Sequence, residues 1–288
     1  LVHIPSDGLP SAADLGVRSG LGDHGLRIGA LKIFADGALG PQTGHMLEPY
    51  EGAADNVGIP THSVEELRDL VHRARIAGIA VAVHAIGDAA NRIVLDAIQE
   101  ASTSVSDAAR PALPDRIEHV QILHPDDVPR LARLGVVASM QPIHATSDME
   151  MAERYWGRRC DLAYAWRSVL DSGAVLAFGS DCPVETLDPL MGIHAAVTRR
   201  RADGRPGPQG WIPDQRLTVH EAVRAYTQGA AYASGEGGIK GSLAPGKLAD
   251  LVILSDDIFC MEPMEIQNAS VDLTVFDGQI VHARERQR

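Results

Sequence analysis

The sequence predicts an α/β protein: part of a parallel (β/α) barrel followed by a small β-sandwich portion. Three observations carry this. Apolar runs end in residues that bind metals, VAV in His84, RIE in His119 and AVLAFGS in Asp181. A short apolar run that breaks in this way reads as a buried strand opening into a loop. Helical stretches separate the runs, as when parallel strands deliver side chains to one mouth. After Gly235 short β-like runs follow one another without helices, which marks a second, smaller sheet. The expected domains are therefore residues 1–235 and 236–288.

Taken in order, LVHI at the start reads as the middle or end of a strand, so the chain is expected to begin inside a fold. The run ALKIF carries Lys32 and breaks at Asp36-Gly37. Ser63 and Glu66 form a capping box before ELRDLVHRARIAG, a helix closed by Gly78. Strand IAVAVHA follows, then a helix from about Asp88 to Ala101 and the strand RIEHVQ. Pro125 and Asp126 open a helix that Gly135 ends, and VVASMQP is the next strand. The segment His144 to Arg159 is polar and Met-rich, and is expected to be a lid or loop. Tyr164 to Ser172 reads as helix, AVLAFGSD as strand and Pro189 to Arg201 as helix. DGRPGPQGWIPDQR is a Pro/Gly-rich insertion of the kind that lies over a site. Thr218 and Glu221 form a second capping box. ADLVILS, VDLTVFDG and QIVHAR are the late strands, and the Gly-rich GEGGIKGSLAPG before them is expected to be a turn.

Composition narrows the function. The formal net charge of −12 disfavours nucleic acid and anionic membranes as partners. The arginines at 199, 200, 201 and 205 read as a solvated loop. Three cysteines with no C-x-x-C pair fit a reduced, cytoplasmic setting. No apolar stretch approaches the roughly 18 residues of a membrane span. There is no G-x-S-x-G elbow, P-loop or dinucleotide fingerprint. NASV at Asn268 matches a glycosylation acceptor by composition alone.

Each candidate residue has two readings. His84 and His119 are either satisfied core histidines or ligands of a divalent cation, zinc being the first choice for imidazole and carboxylate donors. Asp181 is either a helix N-cap, with Pro183 behind it, or a carboxylate that takes the proton of attacking water. Lys32 is either a snorkelling lysine paired with Asp36 or an amine that adds CO2 to become an anionic ligand. Cys182 is either a nucleophile or, on better grounds, a small buried thiol. Asp36, Gln121, Gln141, His144 and Trp211 lie just past strand ends and are the candidate substrate-binding residues, with a structural role open for each.

LKIFADGALG, VAVHAIGDAA, RIEHVQ and AFGSDCPVE, followed by Asp188-Pro189, resemble successive barrel motifs of the amidohydrolase superfamily, and of its YtcJ-like members in particular. KGSLAPGKLADLVILS resembles the superfamily's return into a composite β-sandwich. The resemblance runs from about residue 20 to the C-terminus, and the order and spacing of the motifs make it specific. It implies a TIM-like barrel of which this chain holds strands four to eight. Lys32 would end strand four as a carboxylated bridge between two metals, His84 strand five, His119 strand six and Asp181 strand eight. His84 and His119 would hold one metal; Asp181 would bind the other and act as general base. A metal-activated water would attack an amide or related carbonyl of a small-molecule substrate. Members of the superfamily carry an H-x-H pair on strand one, and this sequence has none. The chain thus reads as the C-terminal half to two-thirds of a member, with an open barrel edge through which it would self-associate. The alternative function is a catalytically silent fragment or non-enzymatic domain.

Overall fold

The computed structural model describes residues 1–106 and 110–285. Strands β1 (Val2–Pro5), β2 (Ile28–Phe34), β3 (Val81–Ala85), β4 (Arg116–His119), β5 (Val137–Met140) and β6 (Leu176–Phe178) form one parallel sheet in that order. The five strands expected from the region of Lys32 onward are present, and LVHI, expected as the middle or end of a strand, pairs with β2 as β1. The sheet runs from β1 to β6 without a crossover in its order. A three-stranded antiparallel sheet, β7 (Leu251–Leu254), β8 (Val271–Phe276) and β9 (Gln279–Ala283), stands where a sandwich portion is expected.

The helices are α1 (Leu9–Asp14), α2 (Val64–Ile76), α3 (Asp88–Ser104), α4 (Val128–Leu134), α5 (Pro142–Trp156), α6 (Trp166–Asp171), α7 (Pro189–Thr198), α8 (Val219–Arg224) and α9 (Ala230–Ala233). Both capping boxes form: Ser63 and Glu66 open α2, and Thr218 and Glu221 open α8. Each satisfies two of the donors that a helix start leaves orphaned. The segment expected as a lid is helical. Ala145, Met149, Ala152 and Trp156 are buried at helical spacing along α5, so its polar composition describes only its outer face.

The chain divides into two compact units. The first holds residues 1–140, 148–176 and 233–235. One face of its sheet carries the apolar core: Leu31, Ile33, Val81, Val83, Ile117 and Ala138 are almost completely buried. Helices α2 and α3 pack on each other and on β3, contributing Leu67, Val71, Val94, Leu95 and Ile98. Each such aliphatic side chain stabilises the fold by about 1.5–3 kcal/mol relative to exposure. The opposite face carries polar residues, with Lys32, His84 and Glu118 brought side by side by the pairings Lys32 with Ala82, Phe34 with His84, and His84 with Glu118.

The second unit holds residues 141–147, 177–232 and 236–288. Here α7 packs against the 3-10 turn Pro263–Asn268. Its antiparallel sheet is thinly covered: Val252, Ile253, Phe276, Ile280 and Val281 are all exposed. The arginine cluster is not a solvated loop throughout. Arg199 is fully buried, donates from Nε to the Trp211 carbonyl and stacks on the Trp211 ring at 5.0 Å.

Candidate metal centre

In the first unit, three parallel strand ends bring together Asp36, His84 and His119. The His84 and His119 rings meet edge to face with centroids 4.6 Å apart, although the register partner of His119 across β3 and β4 is Ala85. His84 Nε2 lies 2.8 Å from the Gly37 carbonyl and 3.6 Å from Asp36 Oδ1. A carbonyl only accepts, so Nε2 carries the proton and the ring's lone pair sits on Nδ1. That is the form in which a histidine ligates a cation while its other nitrogen is held. His119 and Val120 both have positive φ, 77° and 46°. For a β-branched residue this is a true outlier, and such backbone is characteristic of sites whose surroundings over-determine it.

Asp36 lies 2% exposed. Its Oδ2 accepts from the backbone N–H groups of His45 and Gly87, each at 2.8 Å, and its Oδ1 from Ile86 at 3.0 Å. Burial pushes its carboxyl up to about 7, against the three N–H donors that favour the anion.

Lys32 lies within β2, two residues before its end at Phe34, rather than at the strand terminus. Its ammonium stands over the Phe34 ring, 4.6 Å from the centroid. Beside it is a buried network that strand periodicity does not reveal. Arg116 Nε donates to Glu118 at 2.5 Å, and its Nη2 lies 2.9 Å from His3 Nε2. Burial pushes Glu118 up, but Arg116, a hydrogen bond from Ser139 and the charge of Lys32 together hold it below the usual carboxylate range. His3 is lowered by burial and by Arg116. The available signal is RIE itself, two charges inside a buried strand, which need each other once desolvated. Gln121, two residues past His119, is 6% exposed; its carbonyl accepts from Tyr164 at 2.6 Å and its buried Oε1 has no hydrogen-bond partner.

In the second unit, Asp181 follows β6 with φ 56°, and its carboxylate lies 3.8 Å from His144 Nε2 near the start of α5. Asp181 is not a helix cap. Asp188 caps α7 instead, accepting from Leu190 at 2.9 Å, with Pro189 at the first helical position. Cys182, expected to be buried, is exposed. Gln141 is buried just before α5, and Trp211 is 5% exposed against Arg199.

The donor chemistry fits a divalent cation: imidazole nitrogens and a carboxylate, with the tautomer of one histidine set by a carbonyl. Comparisons with known proteins agree. A family model described as "Amidohydrolase family" matches residues 2–282. The putative amidohydrolase YtcJ of Bacillus subtilis is 36% identical over 260 residues, 90% of this chain and 48% of that protein. The N-substituted formamide deformylase of Arthrobacter pascens is 33% identical over 261 residues, 90% of this chain and 46% of its own length. An uncharacterized metal-dependent hydrolase from Pyrococcus horikoshii superposes with a TM-score of 0.78 at 31% identity, covering 91% of this chain and 51% of the other. The chain spans about half the length of the curated relatives it matches. A metal-dependent hydrolase neighbour, a match along nearly the whole chain and histidines poised at parallel strand ends give one result: the chain belongs to the amidohydrolase family.

Proposed function

We propose that this protein is a metal-dependent hydrolase that cleaves the C–N bond of an amide or formamide with water, yielding a carboxylic acid and an amine. The observation that carries the reading is the orientation of His84, held through Nε2 on the Gly37 carbonyl beside the His119 ring. A relative named as an N-substituted formamide deformylase supports the formamide class. Lys32, His84, His119 and Asp181 are the ligand set, with zinc as the metal. Once bound, such an ion acidifies water and polarises the substrate carbonyl. His84 and His119 take part as neutral imidazoles. Lys32 takes part as its carbamate, formed when its neutral amine adds CO2 and releases a proton to solvent; that group would supply an anionic oxygen ligand. Asp181 accepts the proton of the attacking water and returns it to the departing amine. His144 Nε2 lies 3.8 Å from that carboxylate. Gln121, Gln141, His144 and Trp211 serve the substrate side, Gln121 with its buried Oε1 as acceptor for a substrate N–H.

A reducing, cytoplasmic setting suits the three free cysteines. Among the described residues no helix is long and apolar enough to cross a membrane. Self-association through an end of the parallel sheet would pair its edge groups.

The test is metal analysis by mass spectrometry with hydrolysis of a set of N-formyl and N-acyl amines. The expected result is near-stoichiometric zinc, lost together with hydrolysis in a His84→Ala/His119→Ala double variant. Full zinc content or undiminished hydrolysis in that variant would sink the reading.

A further inference from the structure

We infer that Asp36 is a positioning residue: its buried carboxylate ties the loop after β2 to the start of α3 and thereby holds His84 with Nδ1 presented for ligation. This rests on the metal-dependent reading above. Asp36 itself is not placed to touch a substrate, since its side chain is 0% exposed and three backbone N–H groups occupy its oxygens. Those donors come from His45 at the far end of the loop and from Ile86 and Gly87 just beyond β3, so one carboxylate joins two strand ends. The join is reinforced from the other side. The His45 carbonyl accepts from Ala89 at 3.1 Å and Ala90 at 3.2 Å, in the first turn of α3. Asn91 Nδ2 donates to the carbonyls of Gly87 at 2.9 Å and Ile122 at 3.3 Å, extending the tie to the loop after His119.

Between Asp36 and His45 the loop is closed on itself. Gly37 donates to the Thr43 carbonyl at 3.1 Å, and Ala38 donates to Thr43 Oγ1 at 3.0 Å. There is no slack: a Cβ on Gly37 would strike the Thr43 side chain, and one on Gly87 the His45 carbonyl. The Gly37 carbonyl is therefore a fixed acceptor for His84 Nε2, with Asp36 Oδ1 3.6 Å from the same nitrogen. An Asp follows the strand here because only a two-oxygen acceptor of that length can take N–H groups from both neighbouring loops at once.

The experiment uses the whole 288-residue chain, labelled with 15N-histidine, with nitrogen–proton correlation spectra recorded before and after zinc is added. In the metal-free chain the His84 proton is expected on Nε2, and zinc is expected to shift Nδ1. An Asp36→Asn variant, which puts an amide donor among three N–H groups, should bind zinc 10–100-fold more weakly by chelator competition. Asp127→Asn is the control: that carboxylate is equally buried but serves Arg92 and Arg130, so its loss should lower the melting temperature and leave zinc affinity unchanged. A proton on Nδ1 of His84 in the wild-type chain overturns the inference even if Asp36→Asn does not fold. Wild-type zinc affinity in a folded Asp36→Asn variant overturns it as well. A wild-type chain that binds no zinc refutes the metal-dependent reading instead, and the metal-free spectrum still decides the role of Asp36.

Discussion

The loops that follow β2 and β3 and the loop that follows β6 differ in kind. The first pair is built like a core. Asp36, Ala85, Ile86, Gly87 and Asp88 are all buried, and carboxylate, carbonyl and amide ties cross between the strand ends. Residues 181–188 after β6 are almost all exposed, with Val184 at 71% and Leu187 at 74%. The difference teaches that ligand-type residues at strand ends are not equally pre-organised. His84 is set by hydrogen bonds that fold with the domain. Asp181 stands on a short turn, its carbonyl accepting from Val184 at 2.9 Å, and owes its direction to a positive φ.

Glycine substitutions offer the sharpest way to break this contrast. Gly87→Ala forces a Cβ into the His45 carbonyl, whereas Gly179, at the end of β6, has nothing within 4 Å of the same added atom. Gly87→Ala should cost at least 1–3 kcal/mol, roughly the range of overpacking in a closed site. Gly179→Ala should stay within about 0.5 kcal/mol. Urea melts of both variants measure this, and equal losses would erase the distinction between the loops.

Acid titration separates the regions next. His194 on α7 is buried and its pKa is lowered to about 4 by burial, then by Arg200. Its native pKa lies below the unfolded value of 6.5, so the unfolded chain binds the proton first. Stability from this residue is fully present above pH 6.5 and falls as pH drops toward 4. A His194→Leu variant should flatten the loss of stability over that window, followed by denaturant midpoints from pH 7 to 4. An unchanged slope would show that His194 is solvated when folded. The smallest effect belongs to the exposed turn: Leu187→Ser should alter stability by less than about 0.5 kcal/mol. A loss above 1 kcal/mol would mean that this loop is packed.

Several local features were legible residue by residue. His84 and His119 stand out because an apolar run that ends in imidazole has few reasons to do so, and both lie at the ends of buried strands. The two capping boxes read directly from Ser63–Glu66 and Thr218–Glu221, because capping is settled within four residues. Where the reading failed, the deciding partner was distant in sequence. The polar segment at 144–159 is a helix because one stripe of it is buried. Arg199 is buried because Trp211, twelve residues away, supplies a ring and a carbonyl. Asp181 is followed by proline like a cap, but the helix starts at Pro189 and Asp188 serves it. Lys32 sits inside β2 because strand ends are set by pairing with β3 and not by composition.

Local chemistry alone determined the strand–helix alternation, the helix starts and which side chains can bind a cation, since periodicity, capping and donor type are properties of a few neighbouring residues. Tertiary structure alone decided that Asp36 faces three amide groups and not solvent, and that Arg116, Glu118 and His3 form one buried network. Those outcomes depend on parallel strands paired across 34 and 50 residues of chain, where register chooses each neighbour and burial makes its charge matter.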